Sequence, residues 1–168
     1  ITQLCPLADG GEGSLDALIA ATHAERRTLT VQDALGRPRQ AAWGWLSEQR
    51  TAFIELAEAS GLQHLTRAER NALHTTTFGV GELFLAALDA GATHALLLLG
   101  GSATNDAGAG MLQALGATLL DAQGQPLPPG GAALQQLATL DLSTLDPRLA
   151  DLRVEAAVDV DNPLLGER

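Results

Sequence analysis

The sequence predicts a mixed α/β fold, and three observations predict it. The apolar run at 95–99 has the length of a buried strand. It passes through a polar, glycine-dense turn at 100–110 into a segment where Met111, Leu112, Ala114 and Leu115 give the apolar face of a helix. A second such loop at 9–14 hands over to a helical pattern at 15–21. Between them, 27–31 alternates polar and apolar residues, and 41–46 and 51–56 read as strands joined by Ser47-Glu48-Gln49-Arg50. These three strands suggest an antiparallel meander, so strands and helices interleave along the chain.

The remaining elements follow in order. Leu35-Gly36-Arg37-Pro38 reads as a turn, and 57–61 as a helical turn closed by glycine. Thr66 and Glu69 have the spacing of a capping box, which predicts a short helix there. The polar cluster 75–82 leads into a helix carrying Leu83, Phe84, Leu85, Ala87 and Leu88, with Gly91 as its stop. Residues 117–120 form a short apolar run closed by a hairpin turn at 121–125, and a Pro/Gly loop at 126–131 precedes 132–137. Asp146-Pro147-Arg148 marks a further turn, and 154–158 reads as a strand ending in Asp159-Val160-Asp161-Asn162-Pro163.

Composition narrows the function classes. A chain of 168 residues can bury a sizeable core, as one domain or as one domain and part of another. Its net charge of −10 argues against a partner with a polyanionic backbone, so neither nucleic acid nor an anionic membrane face is expected. All ten basic residues are arginine, which excludes a lysine phosphate clamp or Schiff base among these residues. Cys5 is the single cysteine, so no intrachain disulfide forms, and a cytoplasmic location is expected. No run approaches the roughly 20 apolar residues of a membrane helix. The Ile1 start and the Gly166-Glu167-Arg168 end are read as cuts through a longer protein.

Four polar clusters stand where strands or loops meet helices or turns: 9–14, 75–82, 100–108 and 159–163. In open α/β sheets ligands collect at loops beyond the strand ends, and the first N–H groups of a helix suit phosphate or carboxylate. The bland alternative is that such glycines only permit positive φ or tight packing. Asp9 can simply cap the helix that follows it, or it can join Glu12 in holding a metal or a substrate hydroxyl. Asn105 and Asp106 are harder to assign to capping, since Ser102 and Thr104 are already adequate caps. Asp159, at the end of an apolar strand, suits a general base or a magnesium ligand, whereas Asp161 and Asn162 fit an Asx turn before Pro163. The four histidines lack ligand spacing and read as surface or loop residues, and Arg37 and Arg39 as solvated.

Together these segments resemble the type I glycerate kinase family. The residues that carry the resemblance are Leu7-Ala8-Asp9-Gly10-Gly11-Glu12-Gly13, Ala57-Glu58-Ala59-Ser60-Gly61-Leu62, Thr75-Thr76-Thr77-Phe78-Gly79-Val80-Gly81-Glu82-Leu83, the 100–110 turn, and Asp159-Val160-Asp161-Asn162-Pro163-Leu164. Each is weak alone, and five in this order are specific. The family's Pro-Asp-Ser-Phe-Lys, Phe-Gly-Pro-Gln-Lys-Gly and Thr-Gly-Glu-Gly segments do not occur here, so the resemblance implies an internal piece of a longer protein, inactive on its own.

What the resemblance implies is an ATP-dependent kinase that phosphorylates D-glycerate, in the characterised bacterial enzymes at the 2-hydroxyl to give 2-phosphoglycerate. The implied architecture is a flavodoxin-like or Rossmann-like α/β domain with a second α/β domain inserted, the active site lying in the cleft between them. Residues 1–65 would belong to the first domain and 66–168 to the start of the second. The expected site takes Asp159 and Asp106 as catalytic, with Asp159 also on Mg2+. Asp9, Gly10, Gly11, Glu12, Thr77, Gly79, Gly100, Gly101, Ser102, Thr104, Asn105 and Asn162 bind substrate or phosphate. ATP, D-glycerate, the rest of the longer chain and a second copy, as a homodimer, are the expected partners. A non-catalytic anion-binding module, or a kinase for another small hydroxyacid or sugar, remains the alternative.

Overall fold

The computed structural model describes residues 7–160. They form a five-stranded mixed sheet, a small two-stranded sheet and helices on both faces of the larger one. Helix α1 (Ser14–Thr22) leads into β1 (Glu25–Gln32), β2 (Pro38–Leu46) and β3 (Thr51–Glu55). Then come α2 (Leu56–Ser60), α3 (Phe78–Asp89), β4 (His94–Leu98), α4 (Ala109–Ala114), β5 (Thr118–Leu120), β6 (Thr139–Asp141) and β7 (Arg153–Ala157). The α/β class read from the sequence is the observed one.

The meander is present: β1 pairs with β2 and β2 with β3, all antiparallel. Its first turn is held by Asp33, whose Oδ1 accepts the N–H groups of Leu35 and Arg37 at 2.8 and 2.9 Å. Strand β4 then pairs with β3, and β7 with β4, both in parallel. This change of direction aligns three strand ends. Glu55 stands beside Leu98 and Leu98 beside Ala157, so the loops after β3, β4 and β7 leave from one edge of the sheet. The boundary expected at residue 65 falls within this sheet, since β1–β3 precede it and β4 and β7 follow it.

Alternation along the strands sorts side chains onto two cores. Trp43, Trp45, Ile54, Ala95 and Leu97 meet Val80, Leu83, Phe84 and Leu88 of α3 on one face. On the other, Phe53 and Leu98 meet Leu15 of α1. A third cluster under the small sheet joins Ala117, Leu119, Leu127 and Ala133.

Some boundaries differ from the sequence reading, for local reasons. Helix α3 begins at Phe78, so most of the polar cluster 75–82 is already helical. Gly79 sits there because a Cβ would collide with the backbone oxygen of Gln32, which allows the helix to lie directly on β1. The turn at 121–125 forms, with Asp121 Oδ1 accepting from Gln123 and Gln125. The returning chain makes two backbone hydrogen bonds, Asp121 N–H to Gln125 O and Leu127 N–H to Leu119 O, and an isolated bridge at Pro126, while the strand that pairs with β5 is β6, which no local pattern announces. The capping box at Thr66 and Glu69 is present, around a 3-10 turn. His94 is a strand residue rather than a loop residue, and its Nε2 and that of His64 are buried without a hydrogen-bond partner. Among the described residues no helix is long and apolar enough to cross a membrane.

Candidate active site

The aligned ends of β3, β4 and β7 bring together the 9–14 loop, the 100–108 loop and the segment that carries Asp159. After β4, Leu99 donates its N–H to Ala157 of β7 at 3.0 Å, which ties the start of the glycine-rich loop to the end of the last strand. The loop before α1 lies against both. A Cβ on Gly100 would run into Gly11 Cα and lie 2.7 Å from Gly11 N, and one on Gly10 would lie 2.9 Å from the Ala157 oxygen. Glycine at these positions is a requirement of backbone-to-backbone contact between the loops. Asp9, Glu12 and Asp159 are exposed on these adjoining segments.

The 100–108 loop is anchored from the other side by α2 and its continuation. Ala103 N–H donates to Ser60 O at 2.9 Å, and Leu62 N–H to Gly101 O at 2.8 Å. Within the loop, Ser102 Oγ lies 2.8 Å from Thr104 Oγ1 and accepts the Thr104 N–H at 3.0 Å. Ser102, Thr104, Asn105, Asp106 and Thr77 share a pocket of about 350 Å3 whose apolar floor includes Leu97, Leu99 and Val80. Hydroxyls and an amide over an apolar floor suit a small polar ligand held in a defined orientation.

Asp106 is 1 % exposed and fully engaged. Its Oδ2 accepts from Thr77 N–H at 2.9 Å and Gly110 N–H at 3.1 Å, and its Oδ1 from Gly108 N–H at 3.1 Å. Thr77 Oγ1 also donates to it, at 2.9 Å to Oδ2, while accepting Met111 N–H at 3.0 Å. One carboxylate therefore closes the starts of α3 and α4 together. The helix start expected to receive a ligand anion already holds an anion of the protein. The same is true at α1, where the buried Glu55, 2 % exposed, takes Leu15 N–H on Oε2 at 2.8 Å and Gly13 N–H on Oε1 at 3.3 Å. Burial pushes the Glu55 carboxyl above its usual range, partly offset by these two N–H groups, and nearby Glu58 and Glu12 push the same way as burial.

Of the residues expected at the site, Asp9, Gly10, Gly11, Glu12, Gly100, Gly101 and Asp159 lie on the adjoining loops. Ser102, Thr104, Asn105, Asp106 and Thr77 line the pocket. Gly79 is buried against β1, and Asn162 lies outside the described residues. Sequence reasoning missed Glu55. The available signal was the one used for Asp159: a lone carboxylate at the end of an apolar strand, in Phe53-Ile54-Glu55-Leu56.

Among the described residues no group of three or more His, Cys, Asp or Glu side chains is arranged to hold a metal. Magnesium in kinases needs no such cage, because one or two carboxylates and the substrate phosphates suffice. The exposed carboxylates of Asp9, Glu12 and Asp159, on loops that touch, are the donor type that fits it.

The loop carries one backbone cost. Ala107 sits at φ 52°, directly before Gly108 at φ 74°. A Cβ in this left-handed region costs about 1–2 kcal/mol, and Ala107 is exposed, so its methyl group gains little by burial. Ala107→Gly is expected to raise stability by about 1 kcal/mol. A thermal melt checks this, and a lowered midpoint would show that the constraint on the loop matters more than the relieved strain.

Comparison with known proteins gives one answer. The model of the glycerate kinase family matches residues 1–168. A glycerate kinase of Bacillus subtilis (strain 168) is 52% identical over 163 residues, 97% of this chain and 43% of that protein. A glycerate 2-kinase of Escherichia coli (strain K12) is 51% identical over 162 residues, 96% of this chain and 42% of that protein. A crystal structure assigned to glycerate kinase 2 from Salmonella typhimurium LT2 superposes with a TM-score of 0.90 at 50% identity, covering 96% of this chain and 43% of that one. The chain thus spans less than half the length of the relatives it matches.

Proposed function

We propose, for a chain that belongs to the glycerate kinase family, that it forms one wall of the active site of a longer cytoplasmic kinase, which transfers the γ-phosphoryl of ATP to D-glycerate and yields 2-phosphoglycerate. The observation that carries this reading is the meeting of the 9–13 loop, the 99–108 loop and the end of β7 at the ends of the parallel strands of the mixed sheet, with exposed carboxylates beside a hydroxyl-lined pocket.

Phosphoryl transfer asks a protein to align a hydroxyl with the phosphorus and to balance charge, with little covalent work of its own. In this reading Ser102, Thr104 and Asn105 hold the glycerate carboxylate or a phosphate by hydrogen bonds. Asp159 takes the proton of the attacking hydroxyl or contributes to the magnesium site with Asp9 and Glu12. Magnesium, when bound, neutralises phosphate charge. Asp106 and Thr77 have their polar atoms committed to each other and to backbone N–H groups, so they serve as positioning residues that shape the pocket. The chain's lack of lysine leaves any lysine contact to phosphate to the rest of the longer protein.

The test is ATP-dependent phosphorylation of D-glycerate by the longer protein beside the 168-residue chain, with magnesium present and the product identified by NMR. Turnover by the longer protein alone is expected. No turnover by either overturns the kinase reading for this acceptor.

A further inference from the structure

The N-cap of helix α1 is Gly13, which has no side chain with which to cap it, and no side-chain cap comes from the helix's own first turn. The cap arrives from 40 residues away: Glu55 places one carboxylate oxygen on Leu15 N–H and the other on Gly13 N–H. Its position is fixed by the sheet, since Glu55 is the last residue of β3 and stands beside Leu98 in the parallel pair. It is therefore a rigid post between the sheet edge and the loop that carries Asp9 and Glu12. The loop's other face rests on Gly100. A pocket of about 230 Å3 borders the post, lined in part by Glu12, Glu58, Gln63 and His64.

We infer that Glu55 is a positioning residue for phosphoryl transfer, setting the height of the 9–13 loop over the sheet edge and so the placement of Asp9 and Glu12. This rests on the kinase reading given above. Capping alone needs an acceptor anywhere near the helix start. A post on the strand that also feeds the site ties the loop to the same frame as the 99–108 loop and β7. Displacing reacting groups by about 1 Å can cost on the order of 10²-fold in rate, so a partial displacement on removal of the post should be visible kinetically.

The experiment compares Glu55→Ala and Glu55→Gln with the unaltered longer protein, at a temperature where all are fully folded by circular dichroism. Gln keeps the length and one acceptor oxygen for Leu15 N–H, whereas Ala leaves both donors without a partner. Glu55→Ala is expected to lower kcat by roughly 10-fold. Glu55→Gln should restore most of that loss, and Glu25→Gln, on the exposed start of β1, should change nothing. Amide hydrogen exchange at residues 11–15 should quicken in Glu55→Ala while Ala42 in β2 stays protected. Unchanged kcat and KM in Glu55→Ala, with only a lowered melting temperature, would overturn the positioning role and leave the kinase reading intact. Absence of D-glycerate turnover in the unaltered protein would instead defeat the kinase reading. Exchange rates at 11–15 that match in Glu55→Ala and the unaltered protein would then also dismiss Glu55 as the post.

Discussion

Asp106→Ala is expected to destabilise the fold by about 3–5 kcal/mol. The carboxylate is buried and accepts from Thr77 N–H, Thr77 Oγ1, Gly108 N–H and Gly110 N–H. Its removal strands these donors, of which those of Thr77 and Gly110 are buried, and each buried unsatisfied group costs about 1–3 kcal/mol. The losses do not add fully, because the loop can shift and admit solvent. The hydrogen bonds are also linked: Thr77 Oγ1 donates to Asp106 while accepting from Met111, so loss of the carboxylate weakens a contact it does not itself make. Asp106→Asn should cost less, about 2 kcal/mol, since one acceptor oxygen remains while the amide group faces donors. Urea unfolding followed by circular dichroism reads both. A midpoint unmoved by Asp106→Ala would mean that α3 and α4 are fixed by their apolar faces alone. Because the same carboxylate shapes the pocket of Ser102, Thr104 and Asn105, KM for the substrate bound there should rise as well.

Asp159→Asn in the longer protein is expected to lower kcat by about 10²-fold or more, up to the 10⁴-fold limit usual for loss of a general base. Asp159 follows the end of β7 and is exposed, so the amide should leave the melting temperature where it is. That separates its effect from the effect of Asp106. The two roles proposed for Asp159 part in their response to magnesium. Loss of a base persists at saturating ATP and magnesium, whereas loss of a ligand is relieved in part as magnesium is raised. A stable variant with nearly unchanged kcat at every magnesium concentration would remove Asp159 from the chemistry.

Much of the fold is legible in local sequence because most of its elements announce themselves locally. The alternating meander, the apolar run of β4 and the glycine-flanked helices each satisfy a short-range rule, and each apart from α3 is found within a residue or three of its expected place. Helix α3 begins inside the polar cluster 75–82, earlier than the sequence predicts, and takes in Gly79 and Gly81. Their reason is steric and tertiary, a close approach to Gln32 on one side and to Met111 and Ala114 on the other. Strand β6 has no sequence signal, because three residues with no buried side chain carry no pattern and only β5 makes them a strand.

The α/β class, the family and the glycine-polar loops that border the site can be read from the chain alone, since each is written in contiguous residues. Which groups those loops have left to offer depends on contacts between distant segments. The N–H groups at the starts of α1 and α4 looked like seats for a ligand anion, and they are filled by Glu55 and Asp106. The physical reason is distance along the chain. A helix start attracts any nearby carboxylate, but which one is nearby depends on the parallel register of β3 and β4 and on the packing of α3 against α4, contacts that span 29 to 42 residues.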